Sequence, residues 1–324
     1  MPKFVKTITL LAGLFAVSAA PAIAQDYPTK PITWVVSYAP GGLSDSVARI
    51  VAEGMQEKLG QTVLIDNKPG GSTIIGTQAI ARAAADGYTV GSLDAGTLVL
   101  NLGTFASLPY DPNKDFDYVG LLGRHPFLMI TNYNTPFNTL EELIEFGKAN
   151  PDSLNFGSPG IGSSQHIALQ SALEQLGVSA VHVPYQGGAP ALQDLLGGQI
   201  QLLFVPPGGV ADLVATQKVK VLAVTDAERL EAMPDVPTLS ETALPGFVVH
   251  SWQSLGVPAG SPAPVLDKLS QALSDALQDE AVQQKMANVG MSVVTMTPAE
   301  IAAYREEQTT FWMPMIEKLG LEKQ

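Results

Sequence analysis

Four segments of this 324-residue chain set glycine beside small polar residues directly after a short apolar run. They are Tyr38-Ala39-Pro40-Gly41-Gly42-Leu43-Ser44-Asp45, Lys68-Pro69-Gly70-Gly71-Ser72-Thr73, Ser158-Pro159-Gly160-Ile161-Gly162-Ser163-Ser164-Gln165-His166 and Pro184-Tyr185-Gln186-Gly187-Gly188. A helix that starts after such a turn presents unpaired backbone N–H groups and the positive end of its dipole. Such ends hold anions without any cationic side chain. Any one Gly-Gly pair is explained by the positive φ of a tight strand-to-helix turn. Four glycine-bearing turns together, two in each predicted lobe, predict a carboxylate gripped by neutral donors from both sides.

Individual side chains near these turns carry weaker signals. Asp45 falls where a first-turn acid favours the helix dipole, and it could also orient the turn amides or meet a donor on a ligand. His166 stands in a first helical turn with no acid beside it in sequence, which suits a structural hydrogen-bonding group better than a base. His125 and His250 flank apolar strand-like runs and could line a cleft. Tyr38, Phe127, Tyr185, Phe204 and Trp252 suit packing, and as a wall they would suit an aromatic acid.

Signatures of catalysis are missing from the sequence. Gly162-Ser163-Ser164-Gln165 breaks the Gly-x-Ser-x-Gly elbow, Gly160-Ile161-Gly162 is not completed to Gly-x-Gly-x-x-Gly, and neither a phosphate-loop lysine motif nor His-Glu-x-x-His occurs. Ser163 or Ser164 with His166 cannot readily form a nucleophile–base–orienter geometry on one helix. With four isolated His and no Cys, neither a metal site nor a cofactor is expected. The expectation is a binding protein, not an enzyme.

Composition narrows the setting. The chain is 46% hydrophobic and 15% charged, with 30 Gly, 24 Pro and a net charge of −13. That charge, without any Lys/Arg cluster, argues against a nucleic-acid partner. Lys3 and Lys6, the apolar stretch Ile8 to Ala20 and the small residues Ala22-Ile23-Ala24 read as a signal peptide over residues 1–24. Its removal leaves a mature chain from Gln25 that is two charges more negative. The absence of Cys rules out a lipid-modified cysteine after the signal. A periplasmic location follows as the expectation.

The segments must be positioned by repeated strand–helix units. Strands are predicted at Ile32–Val36, Val63–Ile65 and Tyr88–Leu93, with helices from Val47 to the stop at Gly60 and from Ile74 to Ala85. A second unit has strands at Leu154–Phe156, Val181–Val183, Ile200–Val205 and Val219–Thr225. Its helices open at the Thr139/Glu142 capping box, near Ser163, at Ala189 and at Val210. The closing segment is more helical, with starts at Ser261-Pro262 and Thr297-Pro298. Connectors at Leu108 to Asp117 and Met233 to Pro245 separate the units. If the closing helices pack back on the first unit, the chain crosses between two lobes twice, as in a hinge-closing binding protein.

Several of these segments, in order, resemble the Bug family, the substrate-binding receptors of tripartite tricarboxylate transporters. They are Tyr27-Pro28-Thr29-Lys30-Pro31-Ile32, Ala39-Pro40-Gly41-Gly42 with Asp45 and Ala48-Arg49, Asn67-Lys68-Pro69-Gly70-Gly71 and Ala84-Ala85-Asp86-Gly87-Tyr88-Thr89. The likeness continues through Gly157 to Ser163 with His166, Val183-Pro184-Tyr185-Gln186-Gly187, Leu222-Ala223-Val224-Thr225 and Pro234-Asp235-Val236-Pro237-Thr238. The resemblance implies an α/β, two-lobed periplasmic binding protein of the Venus-flytrap type II kind. Each lobe would be a mostly parallel sheet flanked by helices, with two interlobe crossovers. The lobes would comprise residues 25–123 with 228–324, and 124–227. A small di- or tricarboxylate or aromatic acid would sit in the cleft of a monomer and pass to a two-component membrane permease by transient docking. A sensory receptor for the same ligands is the alternative. By position, the carboxylate would meet Gly41, Gly42, Ser44, Asp45, Ser158, Gly162, Ser163, Ser164 and His166. Tyr38, Ser72, Thr73, Asp94, Thr97, Tyr185, Gln186 and Phe204 stand on neighbouring loops and strand ends. Many family members carry Phe-Asp where this chain has Phe204-Val205. The lost acid implies a ligand without an ammonium group.

Overall fold

The computed structural model describes residues 27–324 apart from Asp152 and Gly209. The expected signal peptide, residues 1–24, therefore lies outside the described residues. The chain runs β1 (Ile32–Val36), α1 (Leu43–Leu59), β2 (Val63–Asn67), α2 (Ile74–Ala81) and β3 (Thr89–Asp94). A π-helical turn (Gly96–Leu100) then runs into the short α3 (Asn101–Thr104), followed by β4 (Phe116–Pro126). The next stretch is β5 (Leu128–Asn132), α4 (Leu140–Ala149), β6 (Asn155–Ser158), α5 (Ser164–Leu176), β7 (Val181–Pro184), α6 (Gly188–Leu196), β8 (Leu202–Val205), α7 (Val210–Ala215) and β9 (Val219–Val224). β10 (His250–Pro258), α8 (Ala263–Gln278), α9 (Glu280–Asn288) and α10 (Pro298–Leu319) close the chain.

Local chemistry explains the boundaries. In α1 the apolar stripe Val47, Val51 and Met55 is buried, and Gly60 ends the helix in the left-handed conformation at φ 65°. In α10 Thr297 and Glu300 form a complete capping box. α2 stops at Ala81, short of the predicted Ala85. Beyond it the Gly87 carbonyl accepts from the Tyr27 hydroxyl at 2.7 Å, and the chain turns there toward β3.

The strands form two five-stranded sheets of matching order, β2-β1-β3-β10-β4 and β7-β6-β8-β5-β9. The expected two-lobed α/β architecture with two crossovers is present. The sheets themselves are mixed, not mostly parallel. β1 pairs in parallel with β2 and β3, and β6 with β7 and β8, whereas β10 and β5 run antiparallel to both neighbours. Parallel neighbours need a helical crossover between them. β5 and β10 enter their sheets straight from the other sheet, so no such unit sets their direction.

β4 passes into β5 through the single residue Phe127, and β9 reaches β10 through residues 225–249. Thr225, fully buried, fastens the two passages together. Its N–H donates to the Phe127 carbonyl (2.9 Å) and its hydroxyl accepts the Phe127 N–H (2.8 Å) while donating to the Val249 carbonyl (2.6 Å). The Val249 N–H donates back to the Thr225 carbonyl at 2.9 Å. The largest buried cluster runs through this region, joining Leu93 and Trp252 of the first sheet, with Leu98 of the π-helical turn, to the passage residue Phe127 and to Phe156 and Phe204 of the second sheet.

Candidate functional site

Between the sheets lies a cavity of about 290 Å³. Its first-sheet side carries Tyr38, Gly41, Gly42, Ser44, Ser251 and Gln253, and its second-sheet side carries Pro159, Ser164, Gln165, Gly188, Ala189 and Phe204. The starts of α1, α5 and α6 all reach it. Gly42 and Gly187, the N-cap positions of α1 and α6, have no side chain to cap the first turn. Those ends keep donors for something else. Among the described residues no Lys or Arg lines the cavity, and no three His, Asp or Glu are grouped to hold a metal ion.

The turn before α1 is held open by an ion pair. Gly41 is left-handed (φ 85°), and its N–H donates to Asp45 Oδ2 at 2.9 Å. Arg49 grips the same carboxylate through Nε (3.0 Å) and Nη2 (2.9 Å). Burial would raise the Asp45 pKa, but the hydrogen bonds from Arg49 and Gly41 outweigh it and hold the carboxyl below the ordinary range. Asp45 stands outside the cavity, its carboxylate already partnered by Gly41 and Arg49. The acidic side chain that does line it is Asp94. Burial pushes that carboxyl up, against hydrogen bonds from the Tyr38 hydroxyl (2.6 Å) and the Thr97 N–H (2.8 Å).

The loop before α5 is built from neutral groups. Ser163 caps the helix by accepting the His166 N–H (3.3 Å) and donates to the Gly160 carbonyl (2.7 Å). His166 Nδ1 accepts the Gly162 N–H at 3.3 Å, and its ring stacks on His182 with centroids 3.8 Å apart. His182 Nε2 in turn meets Ser158 Oγ at 2.7 Å. Burial pushes His166 down to about 4; burial, with His166 as neighbour, pushes His182 down to about 3. Both stay neutral near pH 7.

Tyr38, Gly41, Gly42, Ser44, Asp94, Ser164 and Phe204 thus come together on the cavity. Ser72, Thr73, Gly162 and Ser163 lie in a narrow adjoining recess that Tyr38 shares. Ser158 and His166 stand behind their loop, and Thr97 is bonded to Asp94. Tyr185 donates to Asp194 Oδ2 (2.7 Å), and the Gln186 carbonyl accepts the Ala39 N–H across the cleft (2.9 Å). Of the residues with weaker signals, His125 lines the cavity, neutral and pushed down to about 4 by burial. Phe127 stacks behind Phe204 at 5.6 Å. Trp252 is buried core, and His250 Nε2 pairs with Asp226 Oδ1 at 3.2 Å away from the cavity.

Among the lining residues without a signal in the sequence are two on β10. Ser251 and Gln253 lie on β10, a strand whose alternation of Ser and Gln with larger residues hides its burial. Ser251 Oγ meets Ser164 Oγ at 2.7 Å across the cleft. Gln253 is 4% exposed, its Oε1 has no partner, and the strand shifts register immediately after it. Such bulges re-aim side chains at functional sites.

The model of the tripartite tricarboxylate transporter family receptor matches residues 47–321. The chain belongs to this receptor family. Its Bug-type character follows from the solved periplasmic binding protein BugD, which is 36% identical, with 92% of this chain and 100% of that one covered, at a TM-score of 0.88. MatC from Rhodopseudomonas palustris, solved with bound malate, is 32% identical over 90% of this chain and 100% of its own (TM-score 0.85). Another R. palustris protein, Rpa4515, solved with adipate, is 29% identical over 92% and 100% (TM-score 0.89). No helix among the described residues is long and apolar enough to cross a membrane.

Proposed function

We propose that this receptor works in the periplasm, where it holds a small carboxylic acid between its two lobes and presents the closed form to a two-component membrane permease. The observation that carries this reading is the convergence of three helix starts, two without side-chain caps, on a cavity with no cation. Such an array suits a single carboxylate, since each N–H offers a charge-assisted bond and the dipoles add. Ligand contact with both lobes would shift the population toward the closed form. The malate and adipate held by the related R. palustris proteins support an acid as cargo. Val205 on the cavity wall supports an acid without an ammonium group: it offers no carboxylate, and Asp94, the acid that lines the cavity, is already held by the Tyr38 hydroxyl and the Thr97 N–H.

A thermal-shift series of mono-, di- and tricarboxylates and aromatic acids tests the reading, since a ligand that binds only the folded state raises the transition by mass action. A selective rise with one acid is the expected result. Silence toward every carboxylate at millimolar concentration overturns it. Loss of growth on the bound acid after deletion of the gene assigns the partner as a permease; unchanged growth assigns a sensor.

A further inference from the structure

The cavity has two chemically different ends. Its polar end is the one already described. The other end is formed by Leu192 of α6, Leu203 and Val205 of β8, and Val210 and Leu213 of α7. These side chains belong to one apolar cluster backed by Leu128, Ile130 and Leu195. Leu192 and Leu213 are only partly buried members of that cluster, so the cluster opens into the cavity there.

Polar groups near this wall are few. The Val210 N–H points to the Pro207 carbonyl at 3.4 Å. Asn288 offers a single amide at the exposed rim, its Oδ1 accepting from Gln284 (3.0 Å). A second carboxylate placed against the leucines would leave water and gain neither a cation nor a set of donors, which is costly for a charge. A hydrocarbon chain or ring placed there gains by leaving water. The size also fits: a cavity of about 150 Å³ takes one benzene, and this one, at about 290 Å³, has room for a carboxylate and an apolar body of roughly ring size.

We propose that the ligand is a monocarboxylic acid with an apolar body, its carboxylate at the helix starts and its body on the Leu192/Leu203/Leu213 wall. This rests on the carboxylate-receptor reading and narrows it, setting the site apart from one that takes two carboxylates.

The test is calorimetric titration of the purified protein with two near-isosteric pairs, hexanoate against adipate and 4-methylbenzoate against terephthalate. The mono-acid should bind at least tenfold tighter than its diacid in the pair that fits. In the Leu213→Arg variant, at a partly exposed position that does not threaten folding, the preference should narrow or reverse. A diacid binding as tightly as its partner overturns the proposal while the carboxylate reading stands. If neither member of either pair binds and no other carboxylate does, both fall together. A Leu213→Arg variant with an unchanged ratio, and an unfolding transition like the parent's, also overturns it.

Discussion

The turn before α1 and the loop before α5 each open a helix at the cleft, from opposite sides and with different chemistry. The first-sheet turn is tied by charge, Asp45 between Gly41 and Arg49. The second-sheet loop is tied by neutral hydroxyls and a stacked histidine pair. They also differ in how tightly they meet their surroundings. A methyl on Gly41 would stand 3.7 Å from Ala189 Cβ, an ordinary contact, whereas one on Gly162 would stand 2.6 Å from both Asn101 Oδ1 and Thr104 Oγ1. The difference separates a turn that is pre-formed by its own helix from a loop whose shape depends on docking against the other sheet.

The largest test of that contrast is a pair of alanine variants. Both Gly41→Ala and Gly162→Ala place a side chain in the left-handed region, worth about 1–2 kcal/mol. Gly162→Ala adds overlap with two buried side chains, a further ~1–3 kcal/mol. Ligand affinity, measured by titration, should therefore fall much further in Gly162→Ala, and equal losses would erase the distinction.

Acid should then undo the two ties in sequence. A histidine whose folded pKa lies near 4 favours the neutral form, so its contribution is complete above the unfolded value of about 6.5 and declines as pH falls toward 4. For His166 alone the loss is on the order of 3 kcal/mol. Asp45, with its carboxyl lowered, keeps its contribution until pH falls below its unfolded value and through the folded one. Hydrogen exchange at pH 5 should show the amides of residues 160–166 losing protection while those of 41–46 keep it. The reverse order would refute the assignment of charge to one side and neutrality to the other.

Smaller effects follow from single bonds. Asp45→Ala removes hydrogen bonds to a charged group, worth about 1–3 kcal/mol, and should lower the thermal midpoint and weaken binding together. Ser164→Ala removes the bond to Ser251 across the cleft, worth ~0.5–1.5 kcal/mol. It should weaken binding with little change in the midpoint of the free protein. An effect on stability as large as that of Asp45→Ala would place Ser164 in the fold and not at the ligand.

Much of this was readable because the signals are local. Glycine turns, capping residues and 3.6-residue periodicity located α1, α5 and α6 within a residue or a few, and so located the donor array. What was not readable depends on partners distant in sequence. The antiparallel entry of β5 and β10 is decided by the crossings between sheets. β10 carries Ser and Gln on buried positions, which in sequence resembles a loop. The sequence places Asp45 in a first helical turn where it could orient the turn amides; that Arg49 shares its carboxylate is a matter of side-chain direction. Leu192 and Leu213 carry no individual signal in the sequence, and only the space between the sheets gives them a second surface.

Thr225 has a mechanical consequence. Two ribbons fastened together through the backbone and the hydroxyl of one buried residue resist sliding past each other, and rotation about that point is the motion such a fastening would leave to the sheets. A partner could therefore sense cargo by the angle between two rigid faces, without touching the cargo itself.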